Sequence, residues 1–432
     1  MNIVLEPIKH AVSAEPGHFH VLVRLQSTPD ANSARTPLNL ALVIDRSGSM
    51  GDGKLHEAKR CAIDLVGRMA DDDQVAVVIY DTQIDTLLPL MPVRAARLQI
   101  KALLSDVQPR GSTALHEGWL RGAELLATHA GGNAVNHVVL LTDGQANHGL
   151  TDVAAICHQV GALATAGVTT TTVGLGMGFN EELLTAMATA GRGRAHYGER
   201  AIDLAETFES EIGLLTHLQW RDVRLSLHGS FQQTSQVELL NPYPRQGDAW
   251  MVPPVAAGAE SWAMLRLPMQ LLRDGAPSIR VTAKDANGEQ RIFQATFETL
   301  PVVPPTVWAQ MPANELVARR LLELRAAEMQ LLIRDAVNRH HWDHAERLLR
   351  DLEYLGRDEP WIAASIGHLR RLVEMRDDNR LSKEMMYKSM KMTTRSTSTR
   401  EGMFVAADQM NEPAYLRRKM VEGRRSGPSD PT

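Results

Sequence analysis

The feature that most constrains the fold is a series of short, almost continuously apolar runs, each ending in a polar turn and each followed by a stretch of helical period. LNLALVI (38–44) is the first. A strand that is apolar at nearly every position, rather than at every second one, is buried on both faces, as strands of parallel sheets are. KLHEAKRCAIDLVGRM (54–69) has helical period, QVAVVIY (74–80) is a second buried strand and IDTLLPL (84–90) a shorter one. Helices are expected around 93–106 and 115–129, then strand HVVLLT (137–142), helix 152–166 and strand VTTTTVGLG (168–176). Helix 180–190, a short strand near His196 and Tyr197, and helix 201–215 complete the series. Strands alternating with helices predict an α/β doubly wound, mostly parallel sheet with helices on both faces.

The flanks read differently. In 18–26, Phe19, Val21, Val23 and Leu25 alternate with polar residues, Leu22 being the exception, which predicts a half-buried strand. STPDANSARTP after it reads as a linker. From about 218 to 300 the period is two, and Asn287-Gly288 between two alternating runs is a hairpin signal. These segments predict a small antiparallel β domain, sandwich-like, over 218–300. The strand region at 1–30 is expected to join it, so that the α/β domain (33–217) is inserted between the two. PVVPPTVWAQMP (301–312) is a proline-rich connector. Residues 313–380 are expected as a helical domain, with three helices broken near His340 and at 357–360. Residues 381–432 are expected as a flexible basic tail.

Composition bounds the function. A formal net charge of −5 gives no global field for nucleic acid or an anionic membrane, and 22 % charged with 44 % hydrophobic residues is a soluble balance. Two cysteines, Cys61 and Cys157, both in apolar helical patterns, read as reduced core residues rather than a disulfide framework. No basic segment followed by an apolar run marks a signal peptide, and no stretch is long enough for a membrane span, so a cytoplasmic location is expected.

Three loops carry the chemistry. Asp45-Arg46-Ser47-Gly48-Ser49 follows directly on the first buried strand, which puts one carboxylate and two hydroxyls in a tight turn at a strand's carboxyl end, the edge where open α/β sheets bind ligands. Gly111-Ser112-Thr113 precedes a helix and offers a third hydroxyl. Thr142-Asp143-Gly144 ends another buried strand and brings a second carboxylate to the same edge. Oxygen donors of this kind suit a hard cation such as Mg²⁺. D-x-S-x-S alone is weak; the three loops together are specific.

DRSGSM, the GST loop and TDG resemble the three motifs of the von Willebrand factor type A domain with its metal-ion-dependent adhesion site, over roughly 37–217. The resemblance implies that Asp45, Ser47, Ser49, Thr113 and Asp143 hold Mg²⁺, with Mn²⁺ or Ca²⁺ as alternatives, and that an open position accepts an Asp or Glu of a protein partner. One departure is Ser112, where the family often has a second glycine before the threonine. The wider layout resembles bacterial proteins related to the inter-alpha-trypsin inhibitor heavy chains. By that likeness the chain is an adaptor, with an AAA+ ATPase or a stress or defence assembly as the implied partner.

Two rival readings compete with this one. A Mg²⁺-dependent hydrolase would need a base; His116, three residues after Thr113, is the nearest candidate, and a helix-start histidine is more often a surface or rim residue. A nucleic-acid factor would act through the Lys- and Arg-rich tail, which is more simply a solvated segment. No G-x-x-x-x-G-K-[ST] phosphate loop occurs. His340-His341-x-x-His344 reads as a solvated helix junction and Gly191-Arg192-Gly193-Arg194 as a solvated turn.

Overall fold

The computed structural model describes residues 1–27, 35–129, 133–176, 178–198, 201–228, 236–273, 278–357, 359–394 and 397–398. They divide into two compact units: residues 35–216, and the described parts of 1–34 together with 217–403.

The first unit is built from β1 (Leu38–Asp45), α1 (Lys54–Arg68), β2 (Gln74–Tyr80), β3 (Ile84–Pro92), α2 (Val93–Ser105), α3 (Leu115–Ala127), β4 (Val135–Thr142), α4 (Val153–Thr165), β5 (Val168–Leu175), α5 (Glu181–Ala190), β6 (Arg192–Gly198) and α6 (Ala201–Thr216). Its sheet has the order β3-β2-β1-β4-β5-β6, parallel except for β3, which runs antiparallel to β2 at the edge. Every residue of β1 and of β4 is buried, which is why their sequences are apolar without alternation. Two of their polar residues, Asn39 and Asn136, are register partners and bond to each other at 3.0 Å, so neither is buried unsatisfied.

α3 lies unusually close to the sheet because two of its residues lack side chains. A Cβ on Gly118 would stand 2.4 Å from Cγ of the buried Tyr80, and one on Gly122 would stand 2.4 Å from Cγ2 of Val43. The Tyr80 ring is itself enclosed, so it has nowhere to retreat. Gly118→Ala is therefore expected to destabilise this unit by about 1–3 kcal/mol through overpacking. Urea unfolding of the variant checks this, and an unchanged midpoint would show that α3 can slide.

The second unit contains two antiparallel sheets. One has the strand order Asn2–Pro7, His18–Gln26, Ala259–Pro268, Glu238–Leu239, with Thr397–Ser398 also pairing with Ala259–Pro268. The other runs Arg245–Gln246, Ala249–Met251, Leu218–His228, Ser278–Lys284, Gln290–Thr296, with Val255–Ala256 also on Leu218–His228. Phe19, Val21, Val23 and Leu25 from one sheet and Val223, Leu225, Ile279 and Val281 from the other share one core, as in a sandwich. Leu22, the break in the alternation, points the other way. It packs with Trp262 and Met264 against Val317 and Leu324 of the helix Glu315–Asn338, so the outer face of that sheet is also covered.

Helices Trp342–Gly356, Pro360–Glu374 and Asp378–Thr394 complete a helical core with Glu315–Asn338. The last of these corrects the expectation that a tail begins at 381: residues 381–385 are buried, Leu381 and Met385 in the helical core. The basic residues beyond 398 lie outside the described residues. The proline-rich connector also contains a short helix, Pro305–Gln310, with proline at its first turn, where a missing N–H costs nothing. The Gly191–Arg194 segment is not a free turn: β6 begins at Arg192, and Arg194 pairs with buried Glu211 at 3.4 Å.

Candidate metal centre

β1 and β4 are neighbours at the point where the strand order of the sheet reverses, and the cleft outside their carboxyl ends is where such sheets bind ligands. Asp45 is the last residue of β1, and Asp143 directly follows β4. The Asp45 carboxylate is fully buried; Oδ1 accepts from the Ser47 backbone N–H at 2.8 Å and Oδ2 from the Thr142 hydroxyl at 2.6 Å. Burial pushes its pKa up to about 6 and nearby Asp143 adds to the rise, while the bonds from Thr142 and Ser47 work against it.

From Asp45 the chain turns through a 3₁₀ segment, Gly48–Met50, and two left-handed residues, Asp52 and Gly53, before α1. This turn sets Ser47 Oγ 3.0 Å from Ser49 Oγ, and the Ser49 hydroxyl donates to Asp143 Oδ1 at 2.8 Å. Asp45, Ser47, Ser49 and Asp143 thus form one cluster together with Thr142. The remaining oxygen, Asp143 Oδ2, accepts from Lys54 Nζ at 2.8 Å.

Thr113 reaches the cluster through its loop. Arg110 N–H donates to the Arg46 carbonyl at 2.8 Å, and Gly48 N–H donates to the Gly111 carbonyl at 3.1 Å. Gly111 has φ +69°, and a Cβ there would meet the Thr82 hydroxyl at 2.8 Å. The Thr113 backbone N–H donates to Asn147 Oδ1 at 2.7 Å, which ties it to the loop after β4 as well. Thr113 is buried, and among the described residues no side-chain hydrogen bond joins its hydroxyl to the other four. An ion network braces the same loops: Arg46 pairs with Asp81 at 2.9 Å and with Asp85, and Arg110 pairs with Asp81 at 2.7 Å. Desolvation of Asp81 is outweighed by the Arg110 bond and the Arg46 charge, which hold its carboxyl below the usual range.

The five expected residues supply oxygen only: two carboxylates and three hydroxyls. Among the described residues no group of three His, Cys, Asp or Glu is placed to hold a metal ion, so a cation here would rest on hydroxyls as much as on acids. That donor set fits Mg²⁺, Mn²⁺ or Ca²⁺ and is a poor match for Zn²⁺, which favours nitrogen and sulfur.

Sequence reasoning missed three partners. Thr142 stood inside the TDG motif, and its position at the end of a strand adjacent to β1 could have revealed it as the donor to Asp45. Lys54 is the first residue of α1, and a cation right after the serine turn was the available signal. Asn147 carried none. The rim role considered for His116 is corrected: it is 6 % exposed, with Nε2 2.9 Å from Gln159 Oε1 of α4, and its ring lies against Trp119. The reason is geometric, since this face of α3 packs towards Gln159 of α4.

A doubly wound sheet with acids and hydroxyls converging at its switch point belongs to the class of α/β domains whose ligand cleft lies at the strand ends. The sequence model for the von Willebrand factor type A domain matches residues 39–210, and this part of the chain is such a domain. The uncharacterised protein sll0103 of Synechocystis is 32 % identical over 209 residues, 48 % of this chain and 49 % of that protein. Inter-alpha-trypsin inhibitor heavy chain H3 of Rattus norvegicus is 30 % identical over 120 residues, 26 % of this chain and 14 % of that protein. The chain thus spans about half or less of the length of these curated relatives. In fold it is similar to a von Willebrand factor type A protein from Catenulispora acidiphila, with TM-score 0.67 and 19 % identity over 91 % of this chain and 96 % of that one. The ArnB paralog VWA2 from Sulfolobus acidocaldarius superposes with TM-score 0.62 at 15 % identity, over 90 % of this chain and 98 % of that one. No described helix is long and apolar enough to cross a membrane.

Proposed function

We propose that this protein is a Mg²⁺-dependent adaptor that binds an acidic residue of a protein partner through Asp45, Ser47, Ser49, Thr113 and Asp143. The observation that carries the reading is the hydrogen-bonded convergence of two carboxylates and two serine hydroxyls at the switch point, with the Thr113 loop stitched to both sides. A bound divalent ion would supply a directional electrophilic contact for a carboxylate oxygen. The chain's own part is to fix the donors beforehand. Thr142 and the Ser47 N–H orient the Asp45 carboxylate. Arg46, Arg110 and Asp81 hold the loops that carry Ser47 and Thr113.

The partner we favour is a protein of a multi-component assembly, such as an AAA+ ATPase or a stress or defence complex, in a cytoplasmic setting. The two cysteines, neither in a disulfide, suit a reducing compartment. Catalysis is the less supported reading, because the His116 ring that would serve as base is engaged with Gln159.

The test is a titration of the full chain with MgCl₂ and MnCl₂ by calorimetry, followed by pull-downs in Mg²⁺, in EDTA and with Asp45→Ala. Binding heat at sub-millimolar to millimolar metal is expected, with a partner retained only by the wild type in Mg²⁺. No heat for either metal at millimolar concentration would sink the proposal.

A further inference from the structure

Lys54 stands apart from the rest of the site because it brings a positive charge where a cation is expected to bind. Its Nζ donates to Asp143 Oδ2 at 2.8 Å and to the Ser49 carbonyl at 2.8 Å. The Asp143 side chain is 4 % exposed and that of Lys54 28 %, so the pair is partly shielded from water. The arm is seated rather than loose: a Cβ on Gly176, just past β5, would lie 3.3 Å from Lys54 Cε, so the lysine stem runs over that glycine. Gly176 has φ +74°, which disfavours any side chain that would push the arm away. The position follows from the local fold, since Asp52 and Gly53, both left-handed, swing the first residue of α1 back over the serine turn.

We propose that Lys54 is a competitor built into the site, weakening divalent-ion binding and strengthening the binding of an anionic partner group. The inference rests on the metal reading above. A cation drawn to Asp143 must either share that carboxylate with the ammonium, with like charges within a few ångströms, or displace the arm and forfeit its ion pair. Repulsion at such range is appreciable at the intermediate dielectric of a partly buried site and is reduced by salt. A carboxylate arriving from a partner feels the opposite sign, attracted by both the metal and Lys54. Metal and partner would then bind cooperatively, each offsetting a cost the other faces alone, which is a coupling between two ligands in the thermodynamic sense. The domain would hold its metal weakly by itself and firmly with its partner in place.

The experiment is calorimetric titration of the full chain with MgCl₂, comparing wild type, Lys54→Met and Lys54→Arg at low salt and in 0.5 M KCl. Lys54→Met keeps the stem and removes the charge; Lys54→Arg keeps the charge. The Met variant is expected to bind Mg²⁺ about five- to tenfold more tightly at low salt, with the gap narrowing at high salt, while the Arg variant stays near wild type. Circular dichroism melts without metal establish that each variant is folded. A folded Met variant with wild-type or weaker Mg²⁺ affinity would overturn the role of Lys54 and leave the metal site standing. If none of the three proteins takes up Mg²⁺ or Mn²⁺, the metal site falls and this inference with it.

Discussion

Ser47→Ala and Thr113→Ala are each expected to lower Mg²⁺ affinity by about ten- to a hundredfold, the range known for disturbing even the outer partners of a metal site, and to remove metal-dependent partner binding. The fold should survive both changes. Ser47 Oγ bonds to Ser49 and also faces the Asp45 carboxylate, and losing hydrogen bonds of this kind costs roughly 1 kcal/mol each, somewhat more to a charged group. The Thr113 loop is held by its backbone bonds to Asn147 and by the Gly48–Gly111 bond, none of which needs the hydroxyl. Asp45→Ala is a poorer probe of function, because it strands the Thr142 hydroxyl and the Ser47 N–H, both buried, without an acceptor. The measurement is Mg²⁺ calorimetry on each variant, then a binding assay against the partner with and without EDTA. Should well-folded Ser47→Ala and Thr113→Ala both bind partner like wild type in EDTA, the cluster plays no part in recognition and the sandwich or the helices must carry it.

The α/β unit was legible because its strands are buried on both faces. β1 and β4 declare themselves by composition alone, and the acids at their ends fall where strand order dictates. What lay beyond reach was contact across the sheet: that Thr142 serves Asp45, or that Arg46 is turned sideways onto Asp81 and Asp85, depends on strand register and rotamer, which periodicity does not encode. Leu22 looked like noise in an alternating strand because alternation assumes one wet face, and here a helix covers that face. The helix Asp378–Thr394 was hidden for a related reason. Its Met, Ser and Lys content reads as solvated, yet Lys383, Glu384 and Lys388 are buried, with Lys388 and Glu384 paired at 3.9 Å one turn apart. Burial of ions in pairs erases the amphipathic signature that marks a packed helix.

A buried ionisable cluster away from the metal centre is expected to withdraw stability from the α/β unit as the pH falls, against the opposite contribution of Asp45, whose raised pKa lets the folded chain take up its proton first. His137 of β4 is 1 % exposed, with Nδ1 2.7 Å from the Thr169 hydroxyl and Nε2 3.9 Å from Glu211 of α6. Arg194 and His196 of β6 face the same carboxylate at 3.4 and 3.7 Å, and Thr171 donates to it at 2.9 Å. Burial lowers the His137 pKa to about 4, with His196 and Arg194 pushing the same way and Glu211 opposing. Burial would raise Glu211, but Arg194 and the two histidines outweigh it and hold the carboxyl far below its usual range. Both shifts act with one sign. Above pH ~6.5 His137 is neutral in folded and unfolded chains alike and its contribution to stability is complete. As the pH falls from there towards 4, the unfolded chain takes up a proton that the folded one refuses, and about 3 kcal/mol drains away. Below the ordinary glutamate range Glu211 adds a second loss, since the unfolded chain protonates it first. Urea unfolding of the full chain at pH values from 7.5 to 4.5, with hydrogen exchange followed on peptides from β4 and β5, measures the effect where it arises. His137→Leu should unfold with a dependence on pH shallower by about one proton across this window. If the variant and the wild type lose stability with the same slope, the imidazole is not the group that takes up the proton.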